Sequence, residues 1–235
     1  MTAATRTRTC IVSVPAFAGM MRPVTSRAEL LDTLDRYAAR AAHERLTLGE
    51  VADGLGGSSF SLLCIILSLP FLTPVSLGPL ATVGGLTLAA IAWQMVRGDL
   101  APSLPRRVRA IEMSPKIWQA LLATCAKIVG FCSRFSRPRY KRWVEGVQGA
   151  RLRGFLIIAA GLLMAVPLFG LPFNNALPAL AIIIVCLAEL EDDGLMLWAG
   201  IAVTAASAVY ILGVLVAVAL FGTEAIKRFF PTGLG

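Results

Sequence analysis

Charge is scarce in this chain. Of its 235 residues 15% are charged and 57% hydrophobic, whereas soluble domains carry about 25% charged and roughly 45–50% apolar residues. That deficit excludes an ordinary soluble domain. Histidine is scarcer still, with His43 alone. A zinc site would have to rest on cysteines, and Cys10, Cys64, Cys125, Cys132 and Cys186 include no Cys-x-x-Cys pair. The same spacing offers no disulfide framework. Cys64 and Cys186 sit in apolar runs, where cysteine behaves as a small hydrophobe. Gly-rich phosphate loops, serine elbows and metal-ligand clusters are also missing. Gly54-Leu-Gly-Gly57 reads as a helix stop, since no strand precedes it. There is no room for a cytosolic nucleotide-sugar domain. These absences point away from an enzyme, a cofactor or a metal; an embedded enzyme would have to work with carboxylates alone. No cleavable signal peptide is expected either, because residues 1–25 hold only a short, proline-broken apolar stretch.

What is present is an apolar, proline-broken segment written twice. One copy runs from Phe60 through Pro70, Pro74 and Pro79 to Gly98-Asp99. The other runs from Phe155 through Pro167, Pro172 and Pro178 to Asp193-Gly194. The arm Phe60–Phe71 would reach about 18 Å at 1.5 Å per residue, too short for a hydrocarbon core of about 30 Å. Proline removes a backbone donor and restrains its predecessor, so each copy reads as a broken helix pair. Irregular backbone is not tolerated against lipid, so the turns must be covered by protein or line a wet cavity. The expected fold is all-α: a polytopic integral membrane protein of two re-entrant hairpins arranged as an inverted repeat. A repeat of interrupted apolar helices is a pointer to a site near mid-bilayer. The run Leu195–Phe221 carries no charge and is the clearest spanning helix.

Charge, where it occurs, is concentrated. Between Arg97 and Arg153 stand 13 Lys/Arg against three acids, Asp99, Glu112 and Glu145. Lying between membrane segments, this is a cytoplasmic loop touching anionic headgroups rather than a nucleic-acid patch. Its headgroup candidates are Arg106, Arg107, Arg109, Arg137, Arg139, Lys141 and Arg142. Residues 116–135 form an amphipathic helix with Lys127 near its middle. An interfacial position is favoured over a crossing, since a charge at mid-bilayer costs roughly 2.5–3.5 kcal/mol. Ser26-Arg-Ala-Glu29 and Thr47-Leu-Gly-Glu50 are capping boxes that open two earlier helices. The first is amphipathic and suits a protein or membrane surface. The expected organisation is a disordered 1–25, cytoplasmic amphipathic helices 26–57, repeat one 58–99, a basic loop 100–152, repeat two 153–194, a spanning helix 195–222 and a tail 223–235. Loop charge puts the N-terminus and both ends of repeat one in the cytoplasm. A hairpin in repeat two would leave the C-terminus outside, against which Lys227 and Arg228 argue.

Several residues carry the family resemblance: Thr47-Leu-Gly-Glu50, Leu69-Pro-Phe71 with Pro79, Gln94, Pro138-Arg139, the turn Asn174 to Pro178, and an acidic-Gly step before the last helix. In these the chain resembles the ExoD family of bacterial exopolysaccharide-synthesis membrane proteins, over roughly residues 27–222. The family's Glu-Arg-Asp-Gly step stands here as Glu191-Asp-Asp-Gly194, without the arginine. The resemblance implies a multi-pass inner-membrane protein tied to making or exporting exopolysaccharide.

The candidate pathway residues are Thr73, Ser76, Gln94, Asn174, Asn175, Glu189 and Asp193. In one reading the two proline turns meet and line a polar site for an ion or headgroup, aided by half-helix ends. In the other, their side chains only satisfy backbone groups freed by the prolines. Glu189 is a proton or cation site if it lies within the membrane, and merely wet if its arm ends there. Symmetry suggests Gln94 and Arg97 as partners for the acidic cluster. The functional expectation is a small transporter or translocator of an ion, lipid or lipid-linked intermediate. The alternative is a non-catalytic scaffold organising polysaccharide synthesis and export proteins. Turns that need shielding also favour a homo-oligomer, a dimer first.

Overall fold

The computed structural model describes residues 27–229, apart from 42–43, 45, 55–58, 74–77, 100–101, 105, 111, 113, 136–143, 145 and 169–172. The expectations for residues 1–25, the Ser26 capping box and the centres of both proline turns lie outside the described residues. The chain is all-helical, and among the described residues the only β feature is an isolated bridge between Thr47 and Glu112.

The amphipathic helices come first. Helix α1 (Arg27–Arg40) is followed by the short α2 (Leu48–Gly54). The Thr47 box forms as expected. The Thr47 N–H donates to a Glu50 carboxylate oxygen at 2.8 Å, and the Glu50 N–H donates to the Thr47 hydroxyl at 3.3 Å. Helix α3 (Ser59–Ser68) runs into a tighter 3₁₀ turn, Leu69–Leu72, where Pro70 denies it a further donor. Helix α4 (Pro79–Arg97) starts with proline, whose missing N–H costs nothing there. It ends at Gly98, left-handed at φ 85°, whose N–H reaches the Met95 carbonyl at 3.1 Å while the Asp99 N–H reaches Gln94.

A single turn, α5 (Arg106–Arg109), precedes α6 (Pro115–Phe135). Protein covers the apolar stripe of helix α6. Trp118, Leu122, Cys125 and Val129 are buried, and the helix packs on α1 and touches α3. The matching stripe of α1, with Leu34 fully buried and Tyr37 and Ala38 packed beside it, supplies the cover. The Trp118 indole donates to the Leu46 carbonyl at 2.8 Å.

The membrane helices are α4, α7 (Gly146–Ala165) and α9 (Gly194–Phe229), with the shorter α8 (Ala176–Leu190) between the last two. Three stretches are long and apolar enough to cross: Pro79–Arg97, Gly146–Ala165 and Gly194–Leu220, the last at mean hydropathy 2.4. Both proline-broken segments therefore contain one crossing-length arm and one shorter arm, in opposite order. The expected boundary at Arg153 is too late, since α7 begins seven residues earlier at Gly146. Small residues (Gly149, Ala150, Gly154) carry the helix back through the basic stretch.

Helices α4 and α7 pack most extensively, antiparallel, along small residues. A β-carbon at Gly161 would lie 2.7 Å from the Gly85 carbonyl oxygen and 3.2 Å from the Ala89 nitrogen. Gly154 sits equally close to Ala92 and Val96. Lipid gives apolar helices no hydrophobic reason to associate, so close backbone approach and dispersion must hold them. Helix α3 is the innermost element, buried at every position from Ser61 to Ile66, and packs on α8 and α4.

Candidate functional site

Three helices converge on a charged cluster. The start of α3 brings Ser61, the first half of α7 brings Arg153, and the last turn of α8 brings Glu189. The Arg153 Nη2 donates to Glu189 Oε1 at 2.9 Å, and the Ser61 hydroxyl donates to Glu189 Oε2. The other guanidinium arm donates to the Val144 carbonyl. The Arg153 side chain is 6% exposed and that of Glu189 25%. The Arg153 Nε is buried with no partner among the described residues. A charge this far from water persists only when paired, and here both carboxylate oxygens and two guanidinium nitrogens are engaged.

The cluster fixes which helix ends share one side. The beginnings of α3 and α7 and the end of α8 meet there, and Gly154 against Val96 adds the end of α4. Both proline-broken segments thus leave and return at the same end of the bundle. The α8–α9 turn lies there too. Near the end of α6, burial, then the charge of Glu191, pushes the Cys132 thiol above its ordinary range.

The pathway candidates divide. Glu189 is the one drawn into the cluster. Asp193 caps α9, its Oδ1 accepting from the Leu195 N–H at 2.9 Å, a helix-end role that suits its 4% exposure. Gln94 is held by the backbone of Ser103, donating at 3.0 Å and accepting at 2.6 Å. It does not reach the acidic cluster, and Arg97 stacks on Trp93 at 5.5 Å instead. Symmetry misled because the loop after α4 folds back onto Gln94. In the turns, the Thr73 hydroxyl donates to the Pro70 carbonyl at 2.9 Å, and Asn174 donates to the Leu168 carbonyl at 2.6 Å. Both therefore satisfy backbone carbonyls beside prolines, as the blander reading expects. The Asn174 Oδ1 is nevertheless buried and without a partner among the described residues, and Asn175 is buried at the start of α8. Ser76 lies outside the described residues.

Among the headgroup candidates, Arg109 instead grips Asp53, with its Nη1 at 3.2 Å from Oδ1 and its Nη2 on Oδ2. Arg106 is exposed on α5. Arg137, Arg139, Lys141, Arg142 and the side chain of Arg107 lie outside the described residues. Arg153 and Ser61 went unrecognised as site residues. The available signal was the small-residue pattern before Phe155, which continues helical spacing and draws Arg153 inside the helix.

Two cavities flank α7. An open apolar cleft of about 540 Å³ faces α9, lined by Leu156, Leu163 and Thr204 among others. A smaller one of about 250 Å³ lies between the end of α4 and the start of α7. Four cysteines, Cys64, Cys125, Cys132 and Cys186, are free thiols.

The family model for ExoD, exopolysaccharide synthesis, matches residues 30–213. Protein ExoD of Rhizobium meliloti is 33% identical over 205 residues, covering 87% of this chain and 85% of that protein. An uncharacterized protein of Synechocystis is 26% identical over 141 residues, 60% of this chain and 65% of its own length. No solved structure matches. An all-helical chain with three membrane-length helices, matched from Leu30 to Gly213, belongs to the ExoD family of exopolysaccharide synthesis.

Proposed function

We propose that this protein serves exopolysaccharide production as a small, non-enzymatic translocator in the bacterial inner membrane. Its cargo class is an ion, a lipid or a lipid-linked intermediate, moving beside the hairpins α3–α4 and α7–α8. One observation carries the reading: the buried Arg153–Glu189–Ser61 cluster among apolar helices. Ionisable groups in such surroundings are costly and mark ion and substrate routes. Glu189 is the working group, a carboxylate that exchanges Arg153 for a passing proton or cation. The N-terminus is cytoplasmic in this reading, and a second copy shields the proline turns.

The test replaces Glu189 by Gln in the producing cell. Gln keeps the size and one acceptor but not the charge. Exopolysaccharide output should fall while the amount of membrane-inserted protein holds. Unchanged output at equal protein level sinks the reading.

A scaffold role is the second reading, favoured by the amphipathic layer. Helix α6 buries one stripe on α1 yet leaves Ile117 50% and Phe131 63% exposed, which suits partner contact. A scaffold brings synthesis or export subunits through purification, whereas a translocator supports flux alone in liposomes.

A further inference from the structure

The smaller cavity carries a second site. It lies where α4 ends and α7 begins, with Arg97 from one helix and Arg151 from the other on its wall. Neither arginine forms an ion pair among the described residues. Arg97 is backed by Trp93, its guanidinium 5.5 Å from the ring centre, and that tryptophan is 47% exposed. Tryptophan and snorkelling arginine at the end of a crossing helix mark the membrane–water boundary. The remaining wall is Gly98 and the apolar side chains of Met95, Val96, Val147 and Ala150.

The helix ends add to the field. The first turn of α7, at Val147, presents backbone N–H groups that have no intrahelical acceptor. The opposing carbonyl end of α4 is muted, because the Gly98 and Asp99 N–H groups already cap the Met95 and Gln94 carbonyls. Among the described residues Asp99 is the acid adjacent in sequence to this wall, and it is not part of the wall. Two unpaired guanidiniums over an apolar floor, at the membrane boundary, match a phosphate ester with hydrocarbon beneath it.

We propose that this cavity holds the phosphate of an anionic lipid headgroup. The site stands independently of the translocator reading, since binding needs neither Glu189 nor flux. The experiment uses the full chain in phosphatidylcholine nanodiscs doped with spin-labelled phosphatidylglycerol. The motionally restricted fraction reports the bound lipid. Wild-type protein should restrict phosphatidylglycerol over labelled phosphatidylcholine. Arg97→Gln with Arg151→Gln should weaken that preference roughly 25-fold, from about fivefold per arginine. Arg97→Lys with Arg151→Lys should keep most of it. Both arginines are exposed, and an unchanged thermal midpoint shows that the variants fold. In a second arm, line broadening of inorganic phosphate is followed on the same discs. Broadening that the Gln pair abolishes, without any lipid preference, assigns the cavity to free phosphate and overturns the lipid assignment. A lipid preference that the Gln pair leaves intact overturns the site itself.

Discussion

The α4–α7 pair, the more extensive contact, and the α1–α6 pair are held together by opposite means. In α4–α7 the seam is glycine and alanine, close enough that a single β-carbon collides with backbone. In α1–α6 the seam is Leu34, Trp118, Leu122 and Val129, all nearly inaccessible. Water drives the second pair together in proportion to apolar area removed, so large side chains hold it. Lipid supplies no such drive, and the first pair gains only by bringing backbones close. The two pairs should therefore break under opposite substitutions, large for small in one and small for large in the other.

Gly161→Leu should be the most damaging change. Its side chain would have to fit where the Gly85 carbonyl already sits 2.7 Å from the β-carbon position. Overpacking costs about 1–3 kcal/mol where neighbours can yield, and two backbones cannot. No monodisperse protein should elute by size exclusion, and an intact protein of normal midpoint would undo the contrast. Next comes Arg153→Leu, which leaves Glu189 half-buried without its cation. Breaking a buried pair costs about 3–5 kcal/mol. Adding Glu189→Leu should restore most of the thermal midpoint. If the double variant is as weak as the single one, the pair is not what holds these helices. On the other side of the comparison, Leu122→Ala empties a packed seam and should cost about 2–5 kcal/mol. Trp118→Phe keeps most of the ring but orphans the buried Leu46 carbonyl, at about 1–2 kcal/mol by denaturant melt.

Signals confined to a few residues were legible in the chain. The Thr47–Glu50 box and the uncharged run that became Gly194–Leu220 needed no distant partner to be recognised. The all-helical membrane class followed from composition and from proline spacing. Arg153 was not legible, because its meaning depends on Glu189, 36 residues away, and on Ser61 from another hairpin. Read locally, it was only the cation that opened repeat two. Trp118 was one apolar position of a helix, and nothing near it announced the Leu46 carbonyl 72 residues away. Gly85 carried no signal either, since nothing in its neighbourhood announces Gly161. Local capping and hydropathy act over one or two turns, whereas the cluster and the small-residue seam exist only after the hairpins have closed.

The smallest expected effect also separates the two regions, because it belongs to the amphipathic layer alone. The Thr47 backbone N–H, and then its hydroxyl, hold the Glu50 carboxyl below its ordinary value of 4.5. The ionised form is the one that caps α2. A carboxyl whose folded value is depressed stabilises the fold at every pH above its unfolded value, and that contribution fades as pH falls through the folded one. Glu50→Gln retains an acceptor for the cap but has nothing to titrate. The wild-type advantage over Glu50→Gln should therefore be present at neutral pH and shrink below about pH 4.5. Thermal midpoints of both proteins across that range check it. The α4–α7 seam carries no titratable group at the Gly85–Gly161 crossing, so a Gly161→Ala variant should keep a constant deficit over the same acid range. If the Gly161→Ala deficit also closes with acid, the melt is reporting the whole molecule rather than two regions held by different forces.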